Sequence, residues 1–147
     1  MSNAARNKQT ALTMWWNLYE EHDYDAVGAL FSAEGHYTDM ATNDEGGRGP
    51  EAIANRLRMG LEPLKEHFHN IRSITAEGDI VVTEHFETWV WDDDHRVTLP
   101  FVSMQQFDTE GRIIRWWDYW NYTTLIESAP QWWFEHLAQF SSTDLQS

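Results

Sequence analysis

Asp79-Ile80-Val81-Val82-Thr83-Glu84-His85-Phe86-Glu87-Thr88-Trp89-Val90-Trp91 is followed by Asp92-Asp93-Asp94, by the run Val97 to Phe107, by Asp108 to Gly111, and by Arg112-Ile113-Ile114-Arg115-Trp116-Trp117-Asp118-Tyr119-Trp120-Asn121-Tyr122. Three β-branched and aromatic runs, each stopped by a polar turn, read as consecutive antiparallel strands. Working back toward the N-terminus, Lys65 to Thr75 pairs with the first run through the hairpin Ala76-Glu77-Gly78. Before it, Pro50-Glu51 opens a helix with Ile53, Leu57, Leu61 and Leu64 on one face. Ala41 to Gly49 is a polar, Gly-rich loop. His36 to Met40 is a short strand after the Glu34-Gly35 turn. Asp23 caps a short helix carrying Tyr24, Val27, Leu30 and Phe31. Ala11 to His22 is an amphipathic helix with Leu12, Trp15, Trp16 and Tyr19 at helical spacing. Working forward, Thr124 and Glu127 have capping-box spacing and open a C-terminal helical stretch through Trp132, Trp133, Leu137 and Phe140. Helices first and a strand meander afterwards predict an α+β fold, with helices packed on one face of a curved antiparallel sheet. The chain reads as one domain over 1–147, with polar flexible ends near 1–9 and 141–147.

Side chains alternate across a strand, so the two parities are separate populations. One parity of the 79–91 strand carries Val81, Thr83, His85, Glu87, Trp89 and Trp91. In the last strand Asp118 stands between Trp116 and Trp120 on one face. In the short strand Tyr37 and Asp39 share a face. Each feature alone fits a solvated or core strand face. Together they put carboxylates among rings, which is costly unless they are paired or hydrogen-bonded and which raises their pKa toward neutrality. A His two residues from a Glu on one face can be oriented by it.

The composition narrows the partners. Nine Trp, 5 Tyr and 7 Phe make 14% of the 147 residues, and 24 Asp+Glu against 10 Lys+Arg give a net charge of -14. Such a chain repels phosphate, so neither nucleic acid nor an anionic membrane is expected as a partner. Zero Cys removes disulfides, thiol nucleophiles and thiolate metal sites. No apolar run is long enough for a membrane span and no secretory leader is seen, so a cytoplasmic protein is expected.

The block from Val82 through Tyr122, with Val82-Thr83-Glu84-His85-Phe86-Glu87 and Thr109-Glu110-Gly111-Arg112-Ile113-Ile114-Arg115-Trp116-Trp117-Asp118-Tyr119-Trp120, resembles the limonene-1,2-epoxide hydrolases and their SnoaL-like relatives in the nuclear-transport-factor-like superfamily. Gly49-Pro50-Glu51-Ala52-Ile53 is similar to the start of that superfamily's third helix, and the resemblance covers roughly Ala11 to Leu125. It implies a cone-like half barrel wrapped by helices around a deep pocket, commonly as a homodimer. The epoxide hydrolases use an Asp-Arg-Asp triad around a water, with a Tyr and an Asn nearby. By the motif these positions fall on Glu87, His85, Asp118, Tyr37 and Asp39. Asp118 and Tyr37 match; Glu87, His85 and Asp39 depart. A permanent cation is thereby replaced by a group that transfers protons. The resemblance then points to the acid/base chemistry of dehydratases, polyketide cyclases, ketosteroid isomerase and cofactor-free diarylpropane lyases.

The expectation is a cofactor-free lyase, of dehydratase or deformylase type, acting on a hydrophobic aromatic small molecule. Asp118 and His85 form the acid/base pair, with Glu87 orienting His85 and Tyr37 and Asp39 beside them. Trp89, Trp91, Trp116 and Trp120 supply ring contacts. Epoxide hydrolysis at the same residues and a non-catalytic ligand-binding module are the alternatives. A metal site built from His67, His69, His85 and Glu87 depends on a one-residue register; the preferred expectation has no metal. Arg56 and Arg58 read as an exposed helix face, Gly46-Gly47 as a loop or lid, and Trp117 as facing away from Asp118.

Overall fold

The computed structural model describes residues 2–140. Its elements are α1 (Asn3–Tyr19), α2 (Tyr24–Gly28), β1 (Phe31–Asp39), β2 (Gly47–Arg48), α3 (Pro50–Leu61), β3 (Glu66–Glu77), β4 (Ile80–Asp92), β5 (His95–Phe107), β6 (Ile113–Trp120), α4 (Tyr122–Ser128) and α5 (Gln131–Leu137). The six strands form one open sheet in the order β2-β1-β6-β5-β4-β3. β3 to β6 are an antiparallel meander, as expected. β1 joins β6 in parallel, so the sheet is mixed and not wholly antiparallel. The reason is topological. β1 and β6 are separated by helix α3 and the whole meander, so no hairpin dictates their direction, and a long connection permits parallel pairing.

The inward parity is the expected one. In β4, Val81, Thr83, His85, Glu87, Trp89 and Trp91 are buried while their even neighbours are only partly covered, apart from buried Val90. In β5 the same alternation buries Leu99, Phe101, Ser103, Gln105 and Phe107. Helix α1 lies against β3 and β4. Its buried stripe is Ala11, Met14, Trp15, Leu18 and Tyr19, a clean i, i+3, i+4, i+7, i+8 pattern. Trp16, expected on that stripe, is instead 58% exposed and donates its indole N–H to Glu21. The helix also begins earlier than expected, because Ser2 caps it by accepting from the Ala5 amide. Residues 3–9, read as a polar end, are therefore helical; the other expected end, 141–147, lies outside the described residues.

At the C-terminal side the cap is Asn121, whose side chain accepts from the Thr124 amide, not Thr124 itself. Pro130 then divides the expected stretch into α4 and α5, since proline cannot donate within a continuing helix. α4 packs on β5, and Trp133 of α5 donates to the Gly60 carbonyl of α3. Among the described residues no helix is long and apolar enough to cross a membrane.

Candidate active site

The sheet and helices α1, α3, α4 and α5 enclose a cavity of about 330 Å³. Its apolar wall is aromatic, with Trp89, Phe101, Trp116, Trp120 and Trp133 among the lining side chains. Tyr37, Asp39, Glu87 and Asp118 also line it. Seven of the nine site residues expected from sequence therefore meet at one cavity. His85 and Trp91 do not line it.

Asp118 sits at the floor. β6 places it opposite Ser103 of β5 on one side and Asp39 of β1 on the other. Its Oδ1 accepts from Ser103 Oγ at 2.5 Å and from Trp116 Nε1 at 2.7 Å. Tyr37 OH lies 3.0 Å from its Oδ2 and 3.2 Å from Asp39 Oδ1. Trp116 stacks on Tyr37 with ring centroids 4.0 Å apart, which holds the phenol in place. Burial pushes the Asp118 carboxyl well above the usual range, and the nearby charges of Asp39 and Glu87 push it the same way; Ser103 and Tyr37 act against this. A neutral Asp118 fits the contacts. Its Oδ1 is then the carbonyl that accepts from Ser103 and Trp116. The single Tyr37 proton cannot serve both carboxyls, so a neutral Asp118 with its proton on Oδ2 can donate to the phenol while the phenol donates to Asp39.

Glu87 is the second buried carboxyl. Burial raises its pKa to about 7, and the Asp39 charge adds to this. Hydrogen bonds from Tyr19 and from Trp89 Nε1, the latter at 3.1 Å to Oε1, favour its ionised form and keep it titrating near neutrality. The Tyr19 hydroxyl is itself pushed well up, first by burial and then by Glu87.

Arg56, expected on an exposed helix face, is instead covered. Its side chain is only 11% exposed and its Nη2 lies 3.3 Å from Asp39 and 2.8 Å from Asp44. Arg56 precedes Leu57 on α3, at the edge of the buried face, and the two carboxylates draw its guanidinium over the cavity. Burial works against its charge, but these partners outweigh that and raise its pKa further. Trp120 Nε1 also donates to Asp39 Oδ1, at 3.0 Å. Asp39 is thus a fully engaged carboxylate that orients Tyr37.

His85 departs most from expectation. It is fully buried beneath Trp15, with ring centroids 4.6 Å apart, and stacks on Phe101. Its Nδ1 is 3.6 Å from Glu87, too long for the orienting hydrogen bond expected. It instead meets His69 Nε2 at 2.9 Å, while its Nε2 meets Ser103 Oγ at 2.7 Å. Burial, and then the neighbouring His69, lower its pKa to about 3, so it is neutral at physiological pH. The β3–β4 register that sequence left open sets His69 opposite Glu87, on the His85 face. Among the described residues no group of three His, Cys, Asp or Glu is arranged to hold a metal ion.

Trp91 packs edge-on against Trp89 and Trp133 and supports the wall from behind. Tyr19 and Arg56 on the cavity wall, and Ser103 behind Asp118, carry no signal in the motif that points to the site. Strand parity could have found Ser103, which shares the inward face of β5 with Phe101.

Residues 12–116 match the SnoaL-like domain family. Among solved structures, the fold is similar to an LEH-like epoxide hydrolase of M. tuberculosis (TM-score 0.69, 20% identity, covering 93% of this chain and 96% of that one). It is also similar to a putative SnoaL-like polyketide cyclase of Shewanella denitrificans OS-217 (TM-score 0.72, 21% identity, 83% and 95% covered). A third is a hypothetical protein with a ketosteroid isomerase-like fold from Catenulispora acidiphila DSM 44928, solved in complex with trimethylamine (TM-score 0.70, 20% identity, 80% and 89% covered). At these identities the likeness is one of fold. No curated protein matches the chain.

Proposed function

The chain belongs to the SnoaL-like domain family, and from that premise we propose that it is a cofactor-independent acid/base lyase acting on a hydrophobic, ring-bearing small molecule. One observation carries the reading: two fully buried carboxyl groups, both raised in pKa, open onto one aromatic-walled cavity. A solvated or structural carboxylate has no need of that environment, whereas an acid/base pair working near pH 7 does.

The roles follow from the partners. Glu87, which accepts hydrogen bonds and titrates near neutrality, is the base. Asp118, kept neutral and oriented by Ser103, Trp116 and Tyr37, is the acid. Glu87 takes a proton from substrate carbon. The freed electron pair forms the double bond, the bond to a hydroxyl breaks, and the Asp118 proton joins that oxygen so that water leaves. In the carbon–carbon-cleaving variant the proton comes from a hydroxymethyl group, which departs as an aldehyde. Proton exchange with water after product release returns both carboxyls to their starting state. Trp89 and Trp120 present their rings to the substrate, while Trp116 holds Tyr37 and Asp118 in place. The size of the cavity suits a molecule of one or two rings. A second copy of the chain covers the outer sheet face, where Phe68, Val102 and Tyr119 are exposed.

Epoxide hydrolysis is the second reading, supported by Tyr37 and Asp118 standing at positions matching the hydrolase motif. There Glu87 activates water and Asp118 protonates the epoxide oxygen. The test is turnover of a panel of aryl alcohols, hydroxymethyl diaryl compounds and epoxides in oxygen-18 water. Elimination gives product without solvent oxygen; hydrolysis incorporates it. Turnover of neither class, alongside tight binding of ring compounds, would sink the catalytic reading in favour of a ligand-binding module.

A further inference from the structure

Behind Asp118 a row of polar side chains leaves the cavity and crosses the sheet. It runs from Asp118 through Ser103 and His85 to His69, with contacts of 2.5, 2.7 and 2.9 Å. Ser103 and His85 are fully buried. His69 is partly exposed and lines a different groove, between α1 and β3, together with Trp15, Trp16, Glu20 and Ile71. It stacks on Tyr19 with centroids 4.2 Å apart. None of Ser103, His85 and His69 touches the catalytic cavity.

Each member of the row has few protons to offer, and that fixes their direction. Neutral imidazole has one N–H and one bare nitrogen, and a hydroxyl has one proton. If His69 donates its Nε2 proton to His85 Nδ1, then His85 carries its only proton on Nε2 and donates to Ser103. Ser103 must then point its proton at Asp118 Oδ1. With Oδ1 accepting from both Ser103 and Trp116, the acidic proton of Asp118 has one place left, Oδ2. That oxygen faces Tyr37, which lines the cavity. If residue 69 accepts instead, every arrow reverses. His85 then donates from Nδ1, Ser103 donates to His85, and Ser103 needs a proton from Asp118. The acidic proton is pulled onto Oδ1, toward the interior.

We infer that His69, outside the cavity and three hydrogen bonds from Asp118, is a positioning residue that places the Asp118 proton on the oxygen facing Tyr37 and the substrate. The inference rests on the assignment of Asp118 as the acid, but its structural half can be read without substrate. Burial lowers the pKa of His69 to about 4, with His67 acting the same way, which keeps the row neutral.

The test compares His69→Gln, His69→Glu and His69→Leu in the full chain. Nitrogen-15 NMR of the His85 ring reports which nitrogen carries the proton, independent of any turnover. Wild type and H69Q, whose amide can donate, should show the proton on Nε2 alone; H69E should put a proton on Nδ1. On any substrate found, kcat should fall about ten- to hundredfold in H69E, with KM little changed and the pH profile displaced. H69Q should stay near wild type, and H69L should fall between. A wild-type His85 protonated on Nδ1 and bare on Nε2 would overturn the inference. So would an H69E protein with the wild-type tautomer, or one whose tautomer changes while kcat and pH profile do not. If Asp118→Asn leaves turnover intact while the tautomers behave as stated, the fault lies in the catalytic role of Asp118 and not in the polarity of the row.

Discussion

At the scale of single residues, the site consists of groups whose chemistry is set by their neighbours. Asp118 and Glu87 are ordinary carboxylic acids made unusual by burial, and their separation into acid and base comes from the donors around each. Asp118→Asn and Glu87→Gln preserve shape and remove the titrating proton. Each should lower kcat by at least about a hundredfold, the size expected for a lost general acid or base; a loss below about threefold in either would remove that residue from the mechanism. Tyr37→Phe should cost less, because Asp118 retains Ser103 and Trp116. Arg56 acts through Asp39. Removing its cation leaves the partly buried Asp39 carboxylate with Trp120 and Tyr37 alone, so Arg56→Met should lower the midpoint of chemical denaturation, and an unchanged midpoint would contradict the pairing.

At the scale of elements, strand parity carried most of what was readable in advance. Alternation placed His85, Glu87 and Trp89 on one face of β4, and Asp118 between two indoles on β6. What parity could not supply was which neighbour each inward group meets. That depends on register, and the bulge between Ile71 and Ser73 is not visible in the sequence. His85 was accordingly joined to Glu87, two residues away, when its partner is His69 on the next strand. The parallel pairing of β1 with β6 brings Asp39 beside Asp118 and has no local signature at all. Arg56 was lost for a similar reason: a charged residue at the edge of a helix face looks solvated until its carboxylate partners are in place. The loop before α3 is the element most exposed to a single change. Gly46 has φ of +73°, and a Cβ there would stand 1.9 Å from the Tyr37 carbonyl oxygen. Gly46→Ala should destabilise the fold by about 1–3 kcal/mol and disturb Asp44, whose side chain accepts from the Gly46 amide and holds Arg56. Chemical denaturation would measure it, and an unchanged midpoint would contradict the tight turn.

At the scale of the whole molecule, buried imidazoles and buried carboxyls oppose one another as pH changes. His67, His69 and His85 have pKa values lowered to about 4, 4 and 3. Their contribution is present above their unfolded value of about 6.5 and is lost as pH falls toward those folded values. Glu87 and Asp118 are raised. Their contribution is present below the unfolded carboxyl range and is lost as pH rises, for Glu87 through about 7. Stability should therefore peak between about pH 6 and 7 and decline on both sides. Glu87→Gln should remove a loss of up to about 3 kcal/mol that builds up between pH 4.5 and about 7, only about 1 kcal/mol of which falls on the alkaline side of the maximum. Thermal midpoints across pH would show this, and an equal alkaline decline in the variant would contradict it.

Two carboxyl groups of one aromatic cavity divide the acid/base work: Glu87, raised to about 7, takes a proton, and Asp118, raised further by burial, keeps its own. Carbon-13 NMR titration of all Asp and Glu side-chain carboxyls, with and without a bound aryl alcohol, tests it most directly. Glu87 should titrate near 7, Asp118 should stay protonated well above the ordinary carboxyl range, and the alcohol should shift these two signals most. Every carboxyl titrating in the ordinary range, with no selective response at Glu87 and Asp118, would contradict it.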